Sequence, residues 1–336
     1  MTAPSFAHLM ALSNHVGLFE HADHTTPRQE HGYCTDDVAR LLVVIAREPT
    51  PDRAVRELGR TALRFLADAQ GVDGKIRNRR TAAGRWRGAR TVEDCWGRSV
   101  WAFGTAAGHA PQRWMRESAL AYFDHAIQQR SPWPRAMAFA ALGAAEVLAI
   151  DPSHNRARLL LLDAVTTIGR PTRDPDWPWP EPRLSYANAA LAEAFLAAGD
   201  LLGQSDIVDD GITMLRWLLR RETVDTHLSP TPVGGSGPGD SAPAFDQQPI
   251  EVAAMADACH RAYTVTGDAE WLAGIDKAAR WFAGDNDAAT PMWDPITSGG
   301  YDGLHAWGPN LNQGAESTLA LVSTLQHARH LNSTSN

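Results

Sequence analysis

The residues best suited to chemistry are carboxylates in close pairs. Asp36 and Asp37 are consecutive, Glu93 and Asp94 are consecutive, and Glu316 follows Asn312 and Gln313 within about one helical turn. Neighbouring carboxylates repel each other's negative charge, so the pKa of one rises relative to the other. Glycosyl transfer uses that division. A protonated acid assists the leaving oxygen, and an ionised partner activates water or attacks the sugar. Asp37, Asp36 and Asp94 are therefore the candidate catalytic residues. Helix capping is the alternative, since Asp and Glu in a first turn are expected with no function. Arg40 could also hold one of the pair as a structural ion pair.

Hydrogen-bonding and aromatic residues surround these acids, and capping does not account for them. The candidate substrate-binding set comprises His31 and Tyr33; Glu93, Trp96 and Arg98; Arg135; Tyr186 and Asn188; Gln247, Gln248 and Glu251; and Asn312, Gln313 and Glu316. Asp246 falls in the same positions. Twelve tryptophans are the compositional surprise. Trp133, Trp177, Trp179, Trp293 and Trp307 sit in Pro/Gly-rich strings, where they could be core filler or flat platforms for sugar rings. Trp179 and Trp307 join the binding set on that ground.

What must position these residues is a repeated unit, a polar aromatic segment followed by an Ala-rich helix and then a more charged helix. The polar segments are HGYCTDD, EDCWGR, SPWPR, LSYAN, DQQPIE and NQGAES. The Ala-rich helices are apolar nearly all round, which implies burial on every side. Between them, stretches near residues 5–20, 53–69, 112–129, 154–169, 206–222 and 270–283 carry an apolar stripe and a charged face. Six buried helices alternating with six half-exposed ones predict an all-α chain, a single (α/α)6 toroid domain over residues 1–336. No good strand candidate is present. Residues 228–249, rich in Gly, Pro and Ser, read as a flexible loop that is either a lid or a tolerated insertion. Inner helices running the same way bring their N-termini together, so the polar segments should meet at one mouth where positive dipole ends favour anions.

Composition narrows the partners. A net charge of -8 argues against nucleic acid as the main partner. Arg77, Arg79, Arg80, Arg85, Arg87 and Arg90 form the only basic run, read as an exposed loop rather than a phosphate site. The N-terminal residues 1–14 read as an amphipathic helix rather than a signal peptide, and Leu41–Ala46 is too short to span a bilayer. Three cysteines in a long chain fit a reducing, cytoplasmic setting. Cys34, Cys95 and His260 could in principle hold zinc, but none has the usual ligand spacing and buried cysteines pack well between helices. No metal or cofactor is expected.

The strings HGYCTDDVAR, EDCWGR and NQGAEST together resemble a bacterial α/α-toroid domain that often accompanies sugar glycosyltransferases and is similar to (α/α)6 glycoside hydrolases. The resemblance covers most of the chain and implies a carbohydrate substrate and functional association with a glycosyltransferase. Asp36 and Asp37 look like the adjacent acid pair of endo-α-1,6-mannanases, although Cys34-Thr35 and Val38-Ala39-Arg40 differ from the mannanase context. Toroid sugar 2-epimerases of the acylglucosamine type use inner-helix histidines, a part His31, His260 and His305 could play, without a matching motif. Class II terpene cyclases resemble CTDD only loosely. Three functions remain open: a glycoside hydrolase, a non-catalytic glycan-binding or scaffold module, and a sugar epimerase.

Overall fold

The computed structural model describes residues 3–333 and is mostly helical. Six helices form an inner ring: α2 (Thr35–Ala46), α4 (Asp94–His109), α6 (Pro134–Ile150), α8 (Asn188–Leu202), α10 (Pro249–Thr266) and α12 (Ala315–Ser333). Each packs on the next in chain order, and α12 returns to α2 to close the ring. Outside them lie α1 (Ala7–Ala11), α3 (Arg53–Ala69), α5 (Arg113–Ala126), α7 (Asn155–Ile168), α9 (Ser205–Arg221) and α11 (Glu270–Ala283). This is the expected (α/α)6 toroid.

Burial follows the sequence pattern. In α6 every residue from Arg135 to Leu148 except Glu146 is buried, whereas α3 buries one stripe through Val55, Leu58, Ala62, Leu63 and Leu66. Small residues let inner helices approach closely. A Cβ on Gly104 would lie 2.1 Å from the Gly143 carbonyl oxygen, and one on Gly143 would lie 2.3 Å from that of Val100. The α4–α6 seam is therefore a backbone-to-backbone contact that excludes even a methyl group.

Two expectations need correction. The first outer segment is helical only over Ala7–Ala11, not to residue 20. The Asn14 side chain accepts the Val16 and Gly17 N–H groups, an Asx turn that competes with helix continuation. Met1 and Thr2 lie outside the described residues. Short strands are also present: β1 (Ala22–Asp23), β2 (Thr26–Pro27), β3 (Tyr33–Cys34), β4 (Arg79–Arg80), β5 (Trp86–Arg87), β6 (Thr223–Val224), β7 (His227–Leu228), β8 (Gly303–His305) and β9 (Gly308–Asn310). Pieces this short carry no readable alternation. They pair as small antiparallel sheets within the loops, and β3, β4 and β5 tie the arginine-rich stretch to the start of α2.

The loop over residues 228–249 is anchored at several points. Glu222 accepts the Thr231 N–H and hydroxyl, and Arg221 reaches Ser236 Oγ and the Gly237 carbonyl. Its end delivers Asp246 and Gln248 to the mouth. Among the described residues no helix is long and apolar enough to cross a membrane.

Candidate active site

All six inner helices begin at the same end of the ring, and a funnel of about 1190 Å³ opens there. Its wall includes Glu20, Asp36, Asp37, Asp94, Asp246, Asp302 and Glu316, with Arg40, Arg79 and Arg98 as the cations. The convergence expected from the polar segments is thus present. An apolar cavity of about 530 Å³, walled by Val43, Trp101, Phe139 and Leu142, lies below it and shares Arg40, Arg98 and Glu316 with the funnel.

Neither Asp36 nor Asp37 caps α2, whose N-cap Cys34 has no side-chain cap bond. Arg40, one turn on, donates through Nη2 to Asp37 Oδ1 at 2.6 Å and through Nη1 to Glu316 Oε2 at 2.8 Å. One guanidinium therefore serves carboxylates from two adjacent inner helices and cannot neutralise both. Asp37 is 2% exposed. Burial, reinforced by Glu316, Glu20 and Asp36 against the pull of Arg40, pushes its carboxyl up to about 7. Burial also opposes ionisation of Glu316, but Arg40 and Arg98 outweigh it and hold this acid below its ordinary value. The Glu316 side chain is 43% exposed to the funnel. A carboxyl raised to about 7 and one held below its ordinary value thus share one guanidinium.

Asp36 lies 3.5 Å from Arg98 Nε and accepts the Cys34 thiol at 3.3 Å, while its buried Oδ1 has no hydrogen-bond partner. Asp94 accepts the Tyr186 hydroxyl at 2.8 Å, and burial raises its pKa against the opposing Arg98 and Tyr186. Asp246 is raised by burial, with His305 Nδ1 3.8 Å away. Glu20, Cys34 and Asp37 bring ligand atoms within 4.8 Å of one another, but arginines Arg79 and Arg40 already bind the two carboxylates. Cys95 donates towards the Ile76 carbonyl, and His260 lines a cavity that also holds Arg47, Glu146 and Asp257 near the far ends of the inner helices. The imagined Cys34–Cys95–His260 zinc set is not assembled.

Several binding candidates lie elsewhere. Tyr33 is fully buried, stacked on Phe19, and Trp96 is fully buried with its indole N–H on the Ala126 carbonyl. Trp179 is fully buried against Trp217, and Gln247 is buried with its amide on Asp287. These four belong to the core because their rings or amides complete packing between elements. Arg135 forms a two-pronged pair with Glu181 and lies under the Tyr186 ring. Asn188 and Glu251 are buried, Glu251 accepting the Ala187 and Asn188 N–H groups at the start of α8. Asn312 accepts the His24 N–H, and Gln313 bridges Thr297 and Asp294. Asn188, Glu251, Asn312 and Gln313 brace loops rather than face the funnel, whereas Arg135 lines the cavity that adjoins it.

Gln248 lines the funnel, Glu93 lines an adjoining cavity, and Trp307 is exposed at the turn between β8 and β9. His31 lies beside His21, ring edge to face. His305 sits beside Asp246 at the mouth, whereas His260 lies near the far ends of the inner helices. Sequence reasoning missed Glu20, His21, Arg79 and Asp302, all on the funnel wall. They sit in loops and hairpins outside the repeated unit, so only the arginine run gave any sign of them.

No family model matches the sequence, and no curated protein matches it. Solved structures do match in fold. A cellobiose 2-epimerase from Spirochaeta thermophila aligns at TM-score 0.69 and 13% identity, over 98% of this chain and 94% of that one. A sugar epimerase from a ruminal bacterium aligns at 0.68 and 11%, over 96% and 95%. The GH76A α-1,6-mannanase from a Salegentibacter species aligns at 0.65 and 11%, over 97% of each chain. At these identities the likeness is one of fold.

Proposed function

We propose that the chain is a carbohydrate-active enzyme, and that its reaction is glycoside hydrolysis by a carboxylate pair at the mouth of the toroid. The observation that carries this is the sharing of Arg40 by Asp37 and Glu316, with one acid shifted up and the other down. Asp37 supplies the proton to the leaving glycosidic oxygen, and Glu316 is the anion that activates water or meets the developing charge on the sugar. Asp36 and Asp94, expected as the second catalytic carboxylate, flank this pair. They bind hydroxyls, with Arg98 fixing Asp36 and Tyr186 fixing Asp94. Sugar-processing structures with the same fold support the substrate class.

Epimerisation is the runner-up, since His21 lines the funnel. A glycan-binding module serving a glycosyltransferase would need the hydrogen-bonding wall but not the unequal pair. Incubation of the protein with cellobiose, α-1,6-mannan and an aryl-glycoside panel in D2O separates the three. Hydrolysis yields new reducing ends without carbon-bound deuterium. Epimerisation yields an isomeric sugar deuterated at C2, and a binding module leaves every sugar intact. Either of the last two results rejects the proposal.

A further inference from the structure

Most tryptophans here have a packing explanation. Trp96, Trp179, Trp271 and Trp281 are fully buried, and Trp177 and Trp217 pack on each other. Trp133 and Trp307 are different, at 57% and 85% exposed. Trp133 immediately precedes α6, and Trp307 sits in the hairpin that leads into α12. In the closed order α2–α4–α6–α8–α10–α12, helices α6 and α12 stand opposite each other. Trp133 lines a cleft beside the funnel, while Trp307 tips a hairpin whose Leu304 pairs with Gln247 before α10 and whose Asn310 lines the funnel.

On the Trp133 side a cleft of about 890 Å³ is lined by Asn78, Glu93, Asp94, Trp133, Glu181 and Tyr186. It shares Asp94 and Tyr186 with the funnel, so the two spaces adjoin at that hydrogen-bonded pair. The backbone before α6 is set by the Trp133 N–H on Ser131 Oγ at 3.1 Å and by Pro134. An exposed aromatic face beside amide and carboxylate acceptors matches a pyranose, which offers an apolar C–H face and a rim of hydroxyls.

We propose that this cleft is a sugar subsite continuous with the funnel, so that the substrate is a chain of several sugar residues laid across the mouth. The proposal rests on the glycoside reading for the funnel but concerns binding beyond it. Glu93 and Asn78 accept or donate to ring hydroxyls, and Trp133 carries the stacked sugar. Trp307, at the tip of the β8–β9 hairpin, receives the far end of the chain, and His305 backs its ring at 4.9 Å.

The test is a length series of cello-oligosaccharides and α-1,6-manno-oligosaccharides, from disaccharide to hexasaccharide. Affinity is measured calorimetrically on the Asp37→Asn protein, and KM on the wild type. Affinity should rise with chain length, and Trp133→Ala should remove roughly tenfold of it for the longest chain and less for the disaccharide. Trp133→Phe should restore most of the loss, which a general disturbance of the fold would not allow. Trp114→Ala, on outer helix α5, is the control. A length-independent effect of Trp133→Ala, or no binding of any chain, overturns the subsite. Length-dependent binding lost in Trp133→Ala, with no hydrolysis by the wild type, upholds the subsite and rejects the hydrolase.

Discussion

At the scale of single residues, Arg40 is the organising group. It is buried, charged and divided between two acids, so the pair Asp37–Glu316 has room for one proton that neither acid in water would keep near neutrality. This fixes the expected pH dependence. With the roles proposed for the pair, activity needs Asp37 protonated and Glu316 ionised, so kcat/KM should fall above about pH 7 as Asp37 loses its proton. The acid limb should lie below the ordinary glutamate range, because Arg40 and Arg98 hold Glu316 down. A profile of kcat/KM against pH checks both limbs, and Arg40→Met should shift or erase the division between them. Glu316→Gln should lower kcat by about 10²–10⁴-fold, the usual range for a lost acid–base group, as single-turnover rates would record.

At the scale of elements, the site exists because six helix N-termini arrive together, and their closeness depends on small residues. The α4–α6 seam is the sharpest case. Gly143→Ala should destabilise the fold by about 1–3 kcal/mol, since the new methyl meets a carbonyl that cannot retreat without moving α4. Urea denaturation at fixed pH measures it. Much of this level was legible beforehand, because Ala-rich, apolar-all-round helices and their amphipathic partners differ in periodicity. Five of the six outer segments fell within a few residues of the observed helices. The first failed because Asn14 forms a local turn that a hydrophobic stripe does not reveal. Position before an inner helix was a good guide for Asp36, Asp37, Asp94, Gln248 and Glu316, which reach the funnel. It was a poor guide for Tyr33, Trp96 and Gln247, because a residue beside the start of a helix can turn to the core as readily as to the mouth. Glu20, Arg79 and Asp302 arrive through hairpins, long-range placements for which a linear pattern holds no signal.

At the scale of the whole molecule, the toroid buries more carboxyls than those of the funnel. Glu222 is pushed up to about 7 and Glu251 to about 8, burial being the main cause in each. A carboxyl whose folded pKa is raised binds more protons in the native state between its unfolded value near 4.5 and its folded one. Its stabilisation is complete below that lower value and is lost as pH climbs through the upper one. Stability should therefore decline from pH 5 to pH 8. Glu222→Gln, which keeps an acceptor for Thr231, should flatten the decline by up to about 3 kcal/mol, the equivalent of its shift to about 7. Thermal unfolding of both proteins across that window tests the sign.

The ring as a whole is a frame for one polar mouth, proposed to cleave glycosides with the acids on Arg40. The most direct measurement is release of new reducing ends from a cleaved glycan by wild type and by Asp37→Asn, with far-UV circular dichroism confirming that the helices are intact in both. Turnover is expected in the wild type and is lost in the variant. Undiminished turnover in a folded Asp37→Asn protein would contradict this proposal.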